Sequence, residues 1–103
     1  MELHLLLLRY TASPDAIAEH IPGHVDYLER HHGTGTFLAS GQTVPAEDGG
    51  AIVARGVDRR RIAEIIAEDP FVRAGLAAYE IVTIDAARVH PDLAEPPAEG
   101  RTS

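Results

Sequence analysis

The spacing of hydrophobic and polar residues predicts four strands and two helical segments in the order βαββαβ. An almost continuous apolar run from Leu3 to Tyr10 is too short for a typical helix and predicts a central strand buried on both faces. The segments Thr36 to Val44 and Ala51 to Arg55, joined by a polar turn, predict an antiparallel pair. Gly41, near the end of the first of these, suggests a bulge or a close backbone approach. A last strand is predicted over Ala77 to Ile84, which is rich in β-branched and aromatic residues.

The first helical segment carries clear start signals and one interruption. Ser13 is a preferred N-cap residue, and Pro14 suits the first helical position. Pro22 then deletes a backbone hydrogen bond and clashes with the preceding turn, at a cost of about 3 kcal/mol in a helix interior. The sequence therefore predicts two pieces, one from Pro14 to about His20 and a longer one restarting at Pro22.

A stripe of residues spaced by four and three positions predicts the inward face of these pieces. Its members are Ile17, Ile21, His24, Leu28 and His31. His24 is thus predicted to lie within an apolar face. A change of phase at Pro22 weakens this prediction, although Leu28 still lies one turn from His24 in the second piece.

The second helical segment is predicted to begin at Asp58 and to turn Asp69 inward. Asp58 is a suitable N-cap, and Asp69 follows the apolar positions Ile62, Ile65 and Ile66 in helical phase. Pro70 is read as the residue that stops this helix, which places Asp69 near the negative end of the helix dipole. A buried carboxylate there requires a donor or a cation, for which His24 and Arg73 are the nearest candidates.

The element order predicts an α+β, ferredoxin-like fold, in which a four-stranded antiparallel sheet carries both helices on one face. Residues 1–88 are predicted to form this domain, and residues 89–103, which contain proline and acidic residues, a tail or arm. Because one sheet face lacks a cover, we expect a homodimer that packs sheet to sheet, with a small-molecule pocket between the sheet and the helices of each subunit.

Composition narrows the classes of partner. The chain of 103 residues has 16 acidic and 9 basic residues and a net charge of -7, which argues against nucleic acid and anionic membranes. It has no cysteine, and its N-terminal apolar run is too short for a signal peptide or a membrane span, so we expect a cytoplasmic protein. The cluster Arg59-Arg60-Arg61 is interpreted as a solvated helix face.

Several motifs occur in a characteristic order between about Met1 and Ile84. The most specific is the segment Ala67 to Ile81, and it is supported by His24 followed by Tyr27-Leu28, by Ser40-Gly41 and by the run from Gly49 to Arg55. Together these motifs resemble the YciI-like (YCII) family of small dimeric α+β barrel proteins. The resemblance implies a ferredoxin-like subunit, dimerisation through the sheets and a histidine/aspartate pair proposed as the active site.

In that resemblance the family's histidine corresponds to His24 and its aspartate to Asp69. One member type resembles a dehydrochlorinase acting on a chlorinated hydroxyquinol, and the related fold includes muconolactone isomerases and small monooxygenases. Two departures bear on the pocket. Gln42 stands where the family often has a proline, and Pro22-Gly23 precedes the histidine.

Two interpretations of the pair are open. In one, His24 carries a proton and Asp69 orients it, which suits elimination or isomerisation of a small organic acid or enol without a cofactor. In the other, the two residues form a structural hydrogen bond in a non-catalytic ligand-binding or structural dimer. From spacing alone the structural interpretation is the commoner one, and the family resemblance favours the catalytic one.

The remaining candidates are weaker. Ser40, Arg55 and Arg73 are predicted to contact substrate, although a strand-end serine and surface arginines more often serve solvation or ion pairing. His20 and His24 stand four residues apart, but Pro22 disrupts the geometry that a shared metal needs. The sequence therefore predicts neither a metal site nor a cofactor.

Overall fold

The computed structural model describes residues 1–93 and contains four strands and four α-helices within them. The order is β1 (Glu2–Tyr10), α1 (Pro14–Ala18), α2 (Ile21–Gly33), β2 (Phe37–Gln42), β3 (Gly50–Arg55), α3 (Arg59–Ile66), α4 (Pro70–Arg73) and β4 (Ala77–Asp85). A short 3-10 helix, Ala46–Asp48, lies in the turn between β2 and β3. Each predicted helical segment is thus a pair of consecutive helices.

The strands form one antiparallel sheet in the order β2-β3-β1-β4. The predicted α+β, ferredoxin-like fold is therefore confirmed, as is the central position of β1. Leu6 of β1 lies between its partners Ile52 of β3 and Ile81 of β4. This register aligns the inward side chains of the three strands beneath the helices.

The core lies between one face of the sheet and the helices. Its larger cluster unites Leu6 and Ala54 from the sheet with Tyr27 of α2 and Ile62 of α3, all essentially inaccessible to solvent. The other sheet face is open within a single chain, where Leu5 of β1 keeps 38% of its surface exposed. The expectation that β1 is buried on both faces is thus wrong for one subunit, because every helix packs on the same side.

The interruption near Pro22 divides the first helical segment as predicted. Ser13 caps α1 by accepting a hydrogen bond from the backbone N–H of Ala16, and α2 restarts at Ile21. Ile21, the first residue of α2, is 47% exposed, whereas Ile17 of α1 is buried as the stripe predicts. Tyr27 instead occupies the deepest position on α2.

Pro70 begins a helix rather than ending one. The α3 helix has already ended at Ile66, and Asp69 adopts an extended backbone conformation as the N-cap of α4, with Pro70 at its first position. The prediction that Asp69 lies at a helix exit is therefore wrong in this respect. The carboxylate lies at the N-terminus of α4, where it accepts a hydrogen bond from the backbone N–H of Phe71.

One smaller expectation also differs. The irregularity in β2 falls between Phe37 and Ala39, because the pairing with β3 shifts there, and not at Gly41. The chain after β4 forms only bends and turns as far as Leu93, and the rest of the predicted tail lies outside the described residues. Over residues 1–93, no helix has the length and apolar character needed to cross a membrane.

Candidate active site

Asp69 is the buried anchor of the site. Its side chain is inaccessible to solvent, yet it accepts hydrogen bonds from three groups. The backbone N–H of Phe71 donates to Oδ1 at 2.9 Å, the hydroxyl of Tyr79 donates to Oδ2 at 2.6 Å, and Nδ1 of His24 lies 3.0 Å from both oxygens. These donors replace the water that the carboxylate loses on burial. A buried carboxylate needs such partners to remain charged.

His24 reaches Asp69 from the first turns of α2. Gly23, its neighbour, lies against Pro70 so closely that an added Cβ would stand 3.1 Å from the proline Cγ. The Phe71 ring stacks on the imidazole, with centroids 4.3 Å apart and 18° between the planes. The close approach of α2 to α4 and this stacking fix the ring position.

The Asp69 contact determines which nitrogen of His24 carries a proton. A carboxylate can only accept, so Nδ1 must donate, and in the neutral ring Nε2 is then the basic nitrogen. Within residues 1–93 we find no hydrogen bond to Nε2. The ring keeps about 15% of its surface exposed and lines a cavity. The geometry thus presents an available proton acceptor to that cavity.

The cavity has a volume of about 220 Å³ and lies between the sheet and α2. Its walls are mainly apolar, and its polar groups are those of His24, Tyr10, Ser40, Gln42 and Tyr79. No arginine is among the described residues that line it. The cavity therefore suits a small, largely apolar molecule with a few hydroxyl or carbonyl groups.

Two tyrosines adjoin the buried carboxylate. Burial raises the pKa of Tyr79 far above its usual value, and the neighbouring Tyr27 and the charge of Asp69 add to the rise. Burial likewise raises the pKa of Tyr27. The Tyr27 hydroxyl lies close enough to Tyr79 to raise the pKa of Tyr79. Within the described part of the chain, however, the Tyr27 hydroxyl makes no hydrogen bond. Both side chains are therefore neutral at physiological pH.

Ser40 lies on the β2 wall of the same cavity. Its hydroxyl lies 2.8 Å from Nε2 of His32, an exposed side chain near the end of α2. The structure thus brings Ser40 to the cavity with His24, as a neutral hydrogen-bonding group held by His32.

The two candidate arginines lie elsewhere. Arg73 of α4 is exposed and makes no ion pair with Asp69, because the short helix turns its side chain outward. Arg55, at the end of β3, donates to the backbone carbonyl of Leu93. Neither lines the cavity, so the structure does not bring them to His24 and Asp69. In the part of the chain that is described, no three metal-ligating side chains cluster as a metal site would need.

Tyr79 and Phe71 are the site residues that sequence reasoning missed. Tyr79 lies opposite Leu8 in the β1–β4 register, and its contact with Asp69 depends on that long-range pairing. Phe71 follows the Asp-Pro pair, and its N–H donates because Asp69 is an N-cap. An Asp-Pro start signal was present in the sequence and could have indicated this capping role.

The fold and this cavity define a ferredoxin-like α+β protein with a histidine/aspartate pair. The chain belongs to the YCII-related family, since the model of the YCII-related domain matches residues 3–85. This confirms the resemblance seen in the sequence motifs. No curated protein matches the sequence.

The structure is also similar to that of 5-chloro-2-hydroxyhydroquinone dehydrochlorinase from Burkholderia phenoliruptrix, solved in complex with 2,5-dihydroxybenzoquinone. The TM-score is 0.65, and the match covers 86% of this chain and 96% of that chain. The two sequences are 16% identical, so the likeness establishes the shared fold.

Proposed function

We propose that the protein is a small, cofactor-independent enzyme in which His24 and Asp69 transfer a proton during elimination or isomerisation of a small enol or phenol. The observation that carries the proposal is the His24–Asp69 hydrogen bond, which leaves Nε2 of His24 available at the cavity. Asp69 orients the ring and stabilises the imidazolium that forms when Nε2 accepts a proton.

The lining of the cavity narrows the substrate class. Its polar groups are hydroxyls, an amide and an imidazole, and the two candidate arginines lie outside it. A carboxylate would therefore lack a cationic partner in the cavity, whereas phenolic and enolic oxygens find neutral donors. This favours an enol or phenol over an organic acid. The structural neighbour, solved with a dihydroxybenzoquinone, is compatible with that class.

The test uses that neighbour's compounds as probes. We expect 2,5-dihydroxybenzoquinone to bind and perturb the His24 ring resonances, and chloride to be released from 5-chloro-2-hydroxyhydroquinone. The variants His24→Ala and Asp69→Asn should keep the fold and lose turnover. His20→Ala is the matched control, because His20 stands one turn earlier and outside the cavity. Full activity in both site variants would overturn the proposal, and binding without turnover would favour the non-catalytic ligand-binding alternative.

We also infer that two copies pack through the open sheet faces. Leu5 of β1 pairs with Val53 of β3 and Val82 of β4, and these form an apolar row on the open face. In one chain, Leu5 and Val82 each keep 38% of their surface exposed, and Ile84 keeps 43% exposed. Such a continuous apolar patch is typical of an interface.

Light scattering at micromolar concentration tests the dimer. We expect the molar mass of a dimer for the natural protein. We expect that of a monomer for Val82→Glu, which places a charge in the interface. Val44→Glu is the control, because Val44 is 98% exposed but lies in the turn after β2 rather than on the sheet. A monomeric natural protein would contradict the inference.

A further inference from the structure

Tyr79 shares an oxygen of Asp69 with His24. Its hydroxyl, on β4, lies 2.6 Å from Oδ2, while Nδ1 of His24, on α2, lies 3.0 Å from the same atom. Both donors thus compete for the negative charge of one carboxylate oxygen. Tyr79 also lines the cavity that His24 faces.

The Tyr79 hydroxyl can act only as a donor to Asp69. Burial raises the pKa of Tyr79, and the adjacent Tyr27 and the charge on Asp69 raise it further, so the phenol keeps its proton. A short hydrogen bond from a neutral hydroxyl to a carboxylate is roughly twice as strong as one between neutral groups. It fixes the carboxylate and withdraws part of its charge from the imidazole.

We propose that Tyr79 is a positioning residue for the proton-transfer pair, whose hydroxyl lowers the basicity that Asp69 confers on His24. The proposal rests on the proposed function, since it concerns how the same pair is tuned. Without this donor, Asp69 would hold an imidazolium more tightly. The ring would then accept a proton at higher pH and release it less readily to a product.

Within residues 1–93, few other ionisable groups adjoin His24. Asp69 and Tyr79 face it through the contact just described, Tyr10 of β1 lines the same cavity, and Tyr27 of α2 has its ring centroid 5.8 Å from that of His24. The carboxylate of Glu68, next to Asp69, is bonded to His31 and Arg30. Asp69 is therefore the anionic group that Tyr79 can modulate.

The test is an NMR titration of the His24 ring in Tyr79→Phe. We expect the titration midpoint to rise by about half to one pH unit, because one donor to the carboxylate is lost. The pH at which binding of 2,5-dihydroxybenzoquinone weakens on the acid side should rise by the same amount. The matched control is Tyr10→Phe, which removes a hydroxyl from the same cavity that makes no hydrogen bond to Asp69. It should leave the midpoint unchanged.

An unchanged or lowered midpoint in Tyr79→Phe would overturn the proposal. The titration needs no substrate, so it can be measured even if the protein neither binds nor turns over a probe. Such a failure would refute the proposed function without deciding the role of Tyr79. If Tyr79→Phe does not fold, the natural protein supplies the test. Its Tyr79 hydroxyl proton should appear as a slowly exchanging resonance with cross-peaks to the His24 ring, and a rapidly exchanging hydroxyl would refute the hydrogen bond.

Discussion

The rings of His24 and Phe71 lie nearly parallel, with centroids 4.3 Å apart, while the backbone N–H of Phe71 donates to Asp69. One residue thus holds both members of the pair. Its ring limits the rotation of the imidazole, and its main chain fixes the carboxylate that orients that imidazole. The two functions are separable, because a side-chain substitution leaves the N–H in place.

Phe71→Leu should therefore weaken ligand binding, and by more than its loss of stability can explain. Replacing a buried phenylalanine by leucine costs about 1 to 2 kcal/mol of stability. The loss of stacking also frees the His24 ring, so we expect weaker binding of 2,5-dihydroxybenzoquinone at a temperature where the variant is fully folded. Phe37→Leu, at a similarly buried position outside the cavity, is the control. Equal binding by both variants would contradict this role.

The sequence carried the local signals of this fold but not all of its long-range contacts. Ser13 and Asp58 cap helices as predicted, because a cap is determined by the few residues that follow it. Asp69 is buried as predicted, but it caps α4 after α3 has ended, so the helical phase used to predict its burial does not extend to it. The break at Pro22 left the orientation of His24 undecided, and only the packing of α2 on α4 resolves it.

The errors have equally specific causes. An Asp-Pro pair after a helix can mark the end of one helix or the start of the next, and the prediction covers only the first of these. Asp69 proved to be the start of a second helix. That helix turns Arg73 away, and the β1–β4 register brings Tyr79 to the carboxylate instead. The residues around Asp69 give no signal for a hydrogen-bond donor that comes from another strand.

Tyr27→Phe should leave stability unchanged or increase it. The Tyr27 hydroxyl is buried and completes no hydrogen bond within the described residues, and an unsatisfied buried hydroxyl costs about 1 to 3 kcal/mol. Phenylalanine keeps the ring contacts with Phe37 and His31. Urea unfolding measures the change, and Tyr79→Phe, which removes a hydrogen-bonded hydroxyl, should be destabilised in comparison. A loss of more than about 1 kcal/mol in Tyr27→Phe would show that its hydroxyl has a partner.

Alkali should unfold the protein before it ionises the two buried tyrosines. Burial raises the pKa values of Tyr27 and Tyr79 above about 10, the value in an unfolded chain. Their contribution to stability is therefore complete below about pH 10 and declines at higher pH, because the unfolded state loses protons that the folded state retains. Phenolate absorbance and circular dichroism should change together. Ionisation of two or more of the three tyrosines in folded protein would contradict this order.

Glu68 should make the stability of the protein fall in acid. Burial alone raises the pKa of its carboxyl, but the hydrogen bonds and charges of His31 and Arg30 outweigh burial and lower that pKa below its usual value. A carboxyl with a lowered pKa stabilises the folded state above about pH 4.3, the value in the unfolded chain. The contribution disappears as pH falls through the lower pKa of the folded state.

Glu68→Gln should consequently be less stable than the natural protein at pH 6, and the difference should be smaller at pH 2.5. The difference at pH 6 should be about 0.2 to 1 kcal/mol, because a partly exposed ion pair is screened by solvent. Urea unfolding at both pH values measures it. Glu64→Gln is the control, since the exposed Glu64 pairs with Arg61 at 3.5 Å on α3 and should change stability little at either pH. A Glu68→Gln effect of the same size at both pH values would show that shape, rather than charge, makes Glu68 stabilising.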